Sequence, residues 1–139
     1  MADARHGRGL VDTSVVIDLG RIDAGDLPLE IAISAVTLAE LAAGPHATTD
    51  PAERARRQDR LQRTESTFEA LPVDATVARA YGRIYAAVVA AGRKARGRRA
   101  FDLLIAATAL AAELPLYTCN PNDFGELKGL LQVVPVRVR

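Results

Sequence analysis

The chain has 139 residues, 49% of them apolar and 25% charged, the balance of one ordinary globular domain (1–139) rather than of a disordered or collagen-like chain. Eighteen basic residues against seventeen acidic ones leave a net charge of +1, so bulk charge alone gives no argument for nucleic-acid binding. The longest uncharged apolar run, Leu103 to Ala112, falls short of the ~18 residues of a membrane span, and MADARHGRGL lacks a signal peptide's apolar block, so a cytosolic chain with no membrane partner is expected.

Leu10-Val11, then Asp12-Thr13-Ser14, then a second apolar stretch read as a strand passing through a polar turn into a helix, with Asp12 at the strand's C-terminal end. The grammar recurs at Ile31 to Ser34, a strand, followed by Thr37-Leu38-Ala39-Glu40, which matches a capping box opening a short helix that Gly44-Pro45 stops. Asp50-Pro51-Ala52-Glu53 places a cap, a first-turn proline and a capping acid in order, so a long polar helix is predicted to about Glu69, with Leu71-Pro72-Val73 extended. Asp74 caps a helix carrying Val77, Tyr81, Ile84 and Val88 at helical spacing, and Gly92 ends it. Arg93 to Arg99 reads as a loop in which five of seven residues are basic. Phe101 to Glu113 is apolar nearly all round, a buried helix feeding a strand at Leu116 to Cys119, and Gln132 to Val136 is a last strand. Strands alternating with helices predict an α/β fold whose mainly parallel sheet is covered on both faces, with its site outside the carboxyl ends of the strands.

That geometry selects among the acids. Asp12, Asp102 and Asp123 lie beside apolar segments at strand-end or buried positions, and Glu40 joins them one turn into a helix that follows a strand. Carboxylates gathered at one sheet edge repel unless a divalent cation neutralises them, and hard oxygen ligands suit Mg²⁺ or Mn²⁺. Acids without histidine or cysteine form the ligand set of a phosphodiester-cleaving metal site. Each also has a structural reading: Glu40 completes the box with Thr37, Asp102 is a helix-start anion, and Asp12 and Asp123 are turn residues. Their conjunction favours function. Thr13, Ser14, Thr118 and Asn120 flank the acids and either orient them or cap helices.

Other sites fail on specifics. With one cysteine, Cys119, and two histidines, His6 and His46, an internal disulfide is excluded and zinc enzymes and histidine triads are poor fits. Ser14 stands where an Asp-x-Asp phosphatase needs its second aspartate, and Arg98-Arg99 stand where a phosphate loop spanning Gly92 to Gly97 needs Lys and Ser/Thr. Cys119 reads as a buried small residue, and the histidines as loop residues without a role.

Val11-Asp12-Thr13-Ser14, Leu38-Ala39-Glu40-Leu41, Phe101-Asp102 with Ile105 to Ala109, and Tyr117-Thr118-Cys119-Asn120-Pro121-Asn122-Asp123-Phe124 resemble, in order and spacing, the four acidic motifs of PIN-domain nucleases. The likeness is greatest to the VapC-type toxins of toxin–antitoxin pairs, and it covers almost the whole chain. The resemblance implies a three-layer α/β/α sandwich, Mg²⁺- or Mn²⁺-dependent RNA hydrolysis by water, and silencing by a cognate antitoxin. It carries metal-binding and catalytic roles to Asp12, Glu40, Asp102 and Asp123. One departure is Cys119, where the last motif commonly has arginine; it leaves the site edge less basic and leaves open whether Asp123 or Asn120 lies nearer the metal. The alternative on the same fold is a non-catalytic protein- or RNA-binding module.

On charge alone Arg93, Lys94, Arg96, Arg98 and Arg99 read equally as a solvated loop, but they lie just before Phe101-Asp102 and an acidic site that admits a polyanion needs nearby positive charge, so these five are expected to hold the RNA backbone. Tyr81 to Ala91 with Leu103 to Ala112 is more apolar than one small domain readily hides; a homodimer is expected, with a separate groove for the antitoxin.

Overall fold

In the computed structural model, which describes residues 6–139, strand and helix alternate as the hydrophobic pattern predicts. Residues 1–5, part of the N-terminal stretch and of the domain read above, lie outside the described residues. The strands are β1 (Arg8–Val11), β2 (Glu30–Ser34), β3 (Glu69–Leu71), β4 (Leu116–Thr118) and β5 (Val133–Pro135). The helices are α1 (Thr13–Ile17), α2 (Ala35–Ala43), α3 (Pro51–Thr67), α4 (Ala75–Ala90) and α5 (Arg98–Ala111), with a 3-10 segment at Pro121–Leu127 after β4. No helix among the described residues is long and apolar enough to cross a membrane.

All four strand pairings are parallel, in the order β3-β2-β1-β4-β5. The chain steps outward from β1 to β3, then returns to lay β4 and β5 on the other side of β1. The order therefore reverses between β1 and β4, and a crevice opens outside their carboxyl ends. Leu10 pairs with Leu116 and Val11 with Tyr117, and the pleat sends each pair to an opposite face. Leu10 and Leu116 pack with Ile84 and Val88 of α4 and Leu103, Ile105 and Ala106 of α5. Val11 and Tyr117 pack with Val15 and Val16 of α1, Leu41 of α2 and Leu61 of α3. Both faces are thus buried, the condition for an all-parallel sheet and the three-layer sandwich expected.

The caps of α3 and α4 form as their spacing predicts: Asp50 accepts from the Ala52 N–H at 3.2 Å and Asp74 from the Val77 N–H at 3.0 Å. The capping box at Thr37 does not form. Helix α2 starts at Ala35 because Ser34, the last residue of β2, accepts from the Val36 N–H at 3.1 Å; Thr37 lies inside the helix, fully buried. The Ser34 hydroxyl is committed twice. Thr108 Oγ1 spends its proton on the Leu104 carbonyl at 2.8 Å, so it is Ser34 that donates across the 3.0 Å gap between them, tying β2 to α5.

Three further boundaries move. Helix α3 stops at Thr67, and the extended segment is Glu69–Leu71 instead of Leu71 to Val73, because Glu69 to Leu71 pair with Ala32 to Ser34. Helix α5 begins at Arg98, so the basic loop is shorter than expected; Gly97, at φ 65°, turns the chain in a left-handed conformation suited to glycine. Leu103, Ile105, Ala106, Ala107 and Ala109 have no exposed surface, so most of the apolar run of α5 is hidden within the domain, with Leu104, Leu110, Ala111 and Ala112 only partly buried. On α4, Tyr85 and Val89 do remain about half exposed.

Gly9 shows how tightly β1 meets β4. A Cβ at this position would lie 2.6 Å from Cε1 of the buried Tyr117 ring. Gly9→Ala is expected to destabilise the protein by about 1–3 kcal/mol, the usual cost of overpacking. Thermal melts check this, and the loss should shrink when the same change is made in a Tyr117→Leu background.

Candidate functional site

Asp12 follows the last residue of β1 and caps α1, its Oδ1 accepting from the Val15 N–H at 3.3 Å and from the Ser14 hydroxyl at 2.5 Å. Asp12 thus stands at the strand end, as its place in the sequence predicts, and is a helix cap there, where its structural reading was a turn residue. Burial pushes its carboxyl above the ordinary value, while hydrogen bonds from Ser14, Thr118 and the Val15 and Ser14 backbone pull it back. The same hydroxyls stitch the two strand ends together. Ser14 Oγ also accepts from the Cys119 N–H at 3.1 Å, and Thr118 Oγ1 from the Asn120 N–H at 2.9 Å.

Glu40 lies in the second turn of α2, partly buried. Thr13 Oγ1 donates to Glu40 Oε1 at 2.6 Å and stands 3.0 Å from Thr37 Oγ1. A hydroxyl has one proton. Thr13 gives its proton to the carboxylate, so Thr37 donates to Thr13, and a buried helix residue sets the direction of the whole chain of bonds. Thr37, read in sequence as a cap, is thus the hydroxyl behind Glu40. Its signal was obscured because Thr37-x-x-Glu40 fits a capping box better than Ser34 and its successors do.

Asp102 lies in the second turn of α5, not at the helix start, because Arg98 to Phe101 are already helical. Its carboxyl is pushed up to about 6, first by burial, then by the negative charges of Glu40 and Asp12, with Asp123 adding and Arg99 opposing. The structure therefore gathers the acids into one electrostatic neighbourhood around Asp102. Asp123 is exposed in the 3-10 segment after β4, its N–H bonded to the Asn120 carbonyl at 3.0 Å. The cluster is open. Among the described residues, no three Asp, Glu, His or Cys side chains stand close enough to hold an ion as they are. Cys119 is half-buried, and burial raises its thiol, with Asp12 adding to the rise, so it remains neutral beside the acids.

The basic stretch divides. Arg93, Lys94 and Arg96 are exposed on the loop and Arg98 is exposed at the start of α5. Arg99 turns inward: it pairs with the nearly buried Glu126 and lies 5.8 Å from the Phe124 ring centroid, with Arg93 3.7 Å from the same carboxylate. Arg99 thus joins α5 to the segment that carries Asp123, its guanidinium turned toward Glu126, unlike the other four basic residues expected to hold the RNA backbone. A pair 27 residues apart left no sequence signal. Beside the acids, a groove of about 500 Å³ is lined by Thr13, Glu40, Arg60, Arg98 and Phe101 among others. In sequence Arg60 is one residue of the long polar helix and Phe101 the first of the buried one, and neither stands out.

Residues 9–130 match the PIN domain family. The chain is 38% identical over 133 residues to Ribonuclease VapC5 of Mycobacterium tuberculosis, covering 94% of this chain and 95% of the relative. It is 39% identical over 112 residues to Ribonuclease VapC8 of the same organism, covering 78% and 96%. Among solved structures, VapBC-5 of M. tuberculosis, a member of the VapBC family of toxin–antitoxin systems, superposes with a TM-score of 0.80 at 37% identity, covering 95% of this chain and 99% of that one. With its parallel sheet, its acids at the β1–β4 switch and this similarity over nearly its full length, the chain belongs to the PIN-domain family.

Proposed function

We propose that this chain is the toxin of a toxin–antitoxin pair and a metal-dependent endoribonuclease that hydrolyses RNA phosphodiester bonds. One observation carries the site: Asp102, raised to about 6 first by burial, is raised further by the charges of Glu40, Asp12 and Asp123, which meet it at the carboxyl edge of the sheet. Similarity to two ribonucleases over most of the chain supplies the reaction class.

The donor set is all oxygen, which suits Mg²⁺ or Mn²⁺, and mutual repulsion is what such an ion relieves. Asp12, Asp102, Glu40 and Asp123 would hold it, with their side chains drawing inward from the open arrangement described. When bound, the ion supplies Lewis acidity to the phosphate and acidity to a water. The chain's own residues do the rest. Ser14 and Thr118 fix the Asp12 carboxylate by donating to it, and Thr37 through Thr13 fixes Oε1 of Glu40. That leaves Glu40 Oε2 to accept the proton of the attacking water. Asn120, through its bond to Thr118, keeps the turn that carries Asp123 in place. Arg93, Lys94, Arg96 and Arg98 offset the acids' repulsion of the incoming RNA by contacting its phosphates.

A cognate antitoxin is the expected silencing partner, and the exposed Tyr85 and Val89 of α4 are where a homodimer would bury apolar surface. The second reading, a non-catalytic binding module, is favoured by the openness of the acids. RNA cleavage assayed with Mg²⁺ and with EDTA separates the two: loss of cleavage in EDTA supports the nuclease, and no cleavage in either supports the module.

Asp12→Asn is expected to abolish cleavage while leaving circular dichroism unchanged, because asparagine caps a helix as well as aspartate but lacks the charge. Thr37→Val is expected to cut turnover about tenfold, the worth of one buried hydrogen bond, while Thr37→Ser retains it. Steady-state kinetics with Mn²⁺ titration calorimetry on both variants reads this. The pH dependence has a defined sign. Asp102 holds its proton more tightly folded, at about 6, than unfolded, near 3.8, so its stabilising contribution is complete at low pH and lost as pH rises through 6. The metal-free protein's Tm should therefore fall from pH 5 to pH 7, and Asp102→Asn should make that fall shallower.

A further inference from the structure

We propose that the groove between α3 and the start of α5 is a nucleotide subsite, in which one unpaired RNA base stacks on Phe101 while flanking phosphates pair with Arg60 and Arg98. This rests on the ribonuclease reading and specifies how the strand lies on it. Phe101 immediately precedes Asp102 and is 49% exposed, although Leu103 and Ile105 to Ala109 after it are buried. Its ring lines the same groove as Thr13 and Glu40, so a base stacked there sits one residue from the acids that would act on the adjoining phosphate.

The charges on the groove walls are not equivalent. Arg57 is already engaged, donating to Glu53 at 2.9 Å and to the Gly44 carbonyl at 2.8 Å. The guanidinium groups of Arg60 and Arg98 make no ion pair or hydrogen bond among the described residues, so their charge remains for a ligand anion. An aromatic face between two uncommitted guanidinium groups, continuous with an acid cluster, is the arrangement that takes single-stranded nucleic acid. A duplex does not satisfy it, because its bases are already stacked and offer no face to the ring. At about 500 Å³ the groove has the size of a small-molecule pocket, enough for a nucleotide and not for a helix of RNA. Ile17, 46% exposed on the same wall, extends the apolar floor beneath the base.

The test uses the full-length Asp12→Asn protein, in which turnover is stopped, with a fluorescein-labelled unstructured 12-mer RNA and the same strand annealed to its complement. Anisotropy is read across a salt series in Mg²⁺. Phe101→Ala is expected to weaken single-strand binding roughly 5- to 100-fold, the range for loss of one base–aromatic stack, and to leave duplex binding unchanged. Phe101→Trp should retain affinity, with its indole fluorescence quenched by the RNA. Arg60→Ala and Arg98→Ala should each reduce the salt slope by about 0.7, one phosphate's worth for a single strand. Unchanged affinity in Phe101→Ala overturns the subsite, and if that variant instead loses its hold on the antitoxin, the groove belongs to the protein partner. Cleavage by the unsubstituted protein is measured alongside: cleavage with an indifferent Phe101 sinks the subsite alone, whereas neither binding nor cleavage of RNA sinks the ribonuclease reading with it.

Discussion

Carboxylates that share a sheet edge repel one another, and the parallel order β3-β2-β1-β4-β5 is what brings them together. Asp12 leaves β1 at the point where the strand order reverses, Asp123 follows β4 on the far side of that point, and Glu40 follows β2. Asp102 arrives on α5, which is packed under the same edge by Leu103, Ile105 and Ala106. Hydrophobic burial on both faces of the sheet thus sets positions that electrostatics alone would not choose. The cost registers in the raised carboxyl of Asp102, which burial lifts first and the neighbouring acids lift further.

Hydroxyl groups make this tolerable. Ser14 and Thr118 give their protons to Asp12 and take backbone N–H groups from the β4 exit in return, so the cap, the carboxylate and the strand junction are one network. Thr13 and Thr37 do the same for Glu40, and Ser34 with Thr108 does it between β2 and α5. In each case a small side chain has one proton, and its destination fixes the direction of the next bond. The arrangement is a set of oriented dipoles around buried or half-buried acids, which a charged or bulky residue at those positions would disrupt.

The fold class was legible in the sequence because apolar runs, caps and glycines acted locally: Asp50 and Asp74 cap where their spacing says, and β1, β2 and β4 fall on their apolar runs. The four acids were legible because each stands at the exit of an apolar segment or inside one. What could not be read depended on partners distant in sequence. Ser34 wins the α2 cap from Thr37 because Thr108, 74 residues away, fixes its hydroxyl, and Arg99 leaves the basic patch because Glu126 stands opposite it. Phe101 looked like core since its neighbours are core. Only the position of α3 across the groove shows that its ring faces outward.

Cys119 sharpens the charge problem. The side chain beside Asp12 is here a neutral thiol, and the cation that does act on Asp102, Arg99, is itself paired with Glu126. Arg99 and Glu126 together contribute little net charge at a distance, so the repulsion among Asp12, Glu40 and Asp102 is left for mobile species to relieve. Protons do so near the raised Asp102 value, and the divalent cation proposed for the site would do so at neutral pH with twice the charge. Both compete for the same carboxylates, so acidification that stabilises the metal-free fold must weaken its hold on the cation. The open arrangement of the acids and the ion affinity proposed for them then have one origin: the sheet holds the carboxylates near enough to repel, and any ligand that binds the folded form and cancels that repulsion stabilises the fold as it binds.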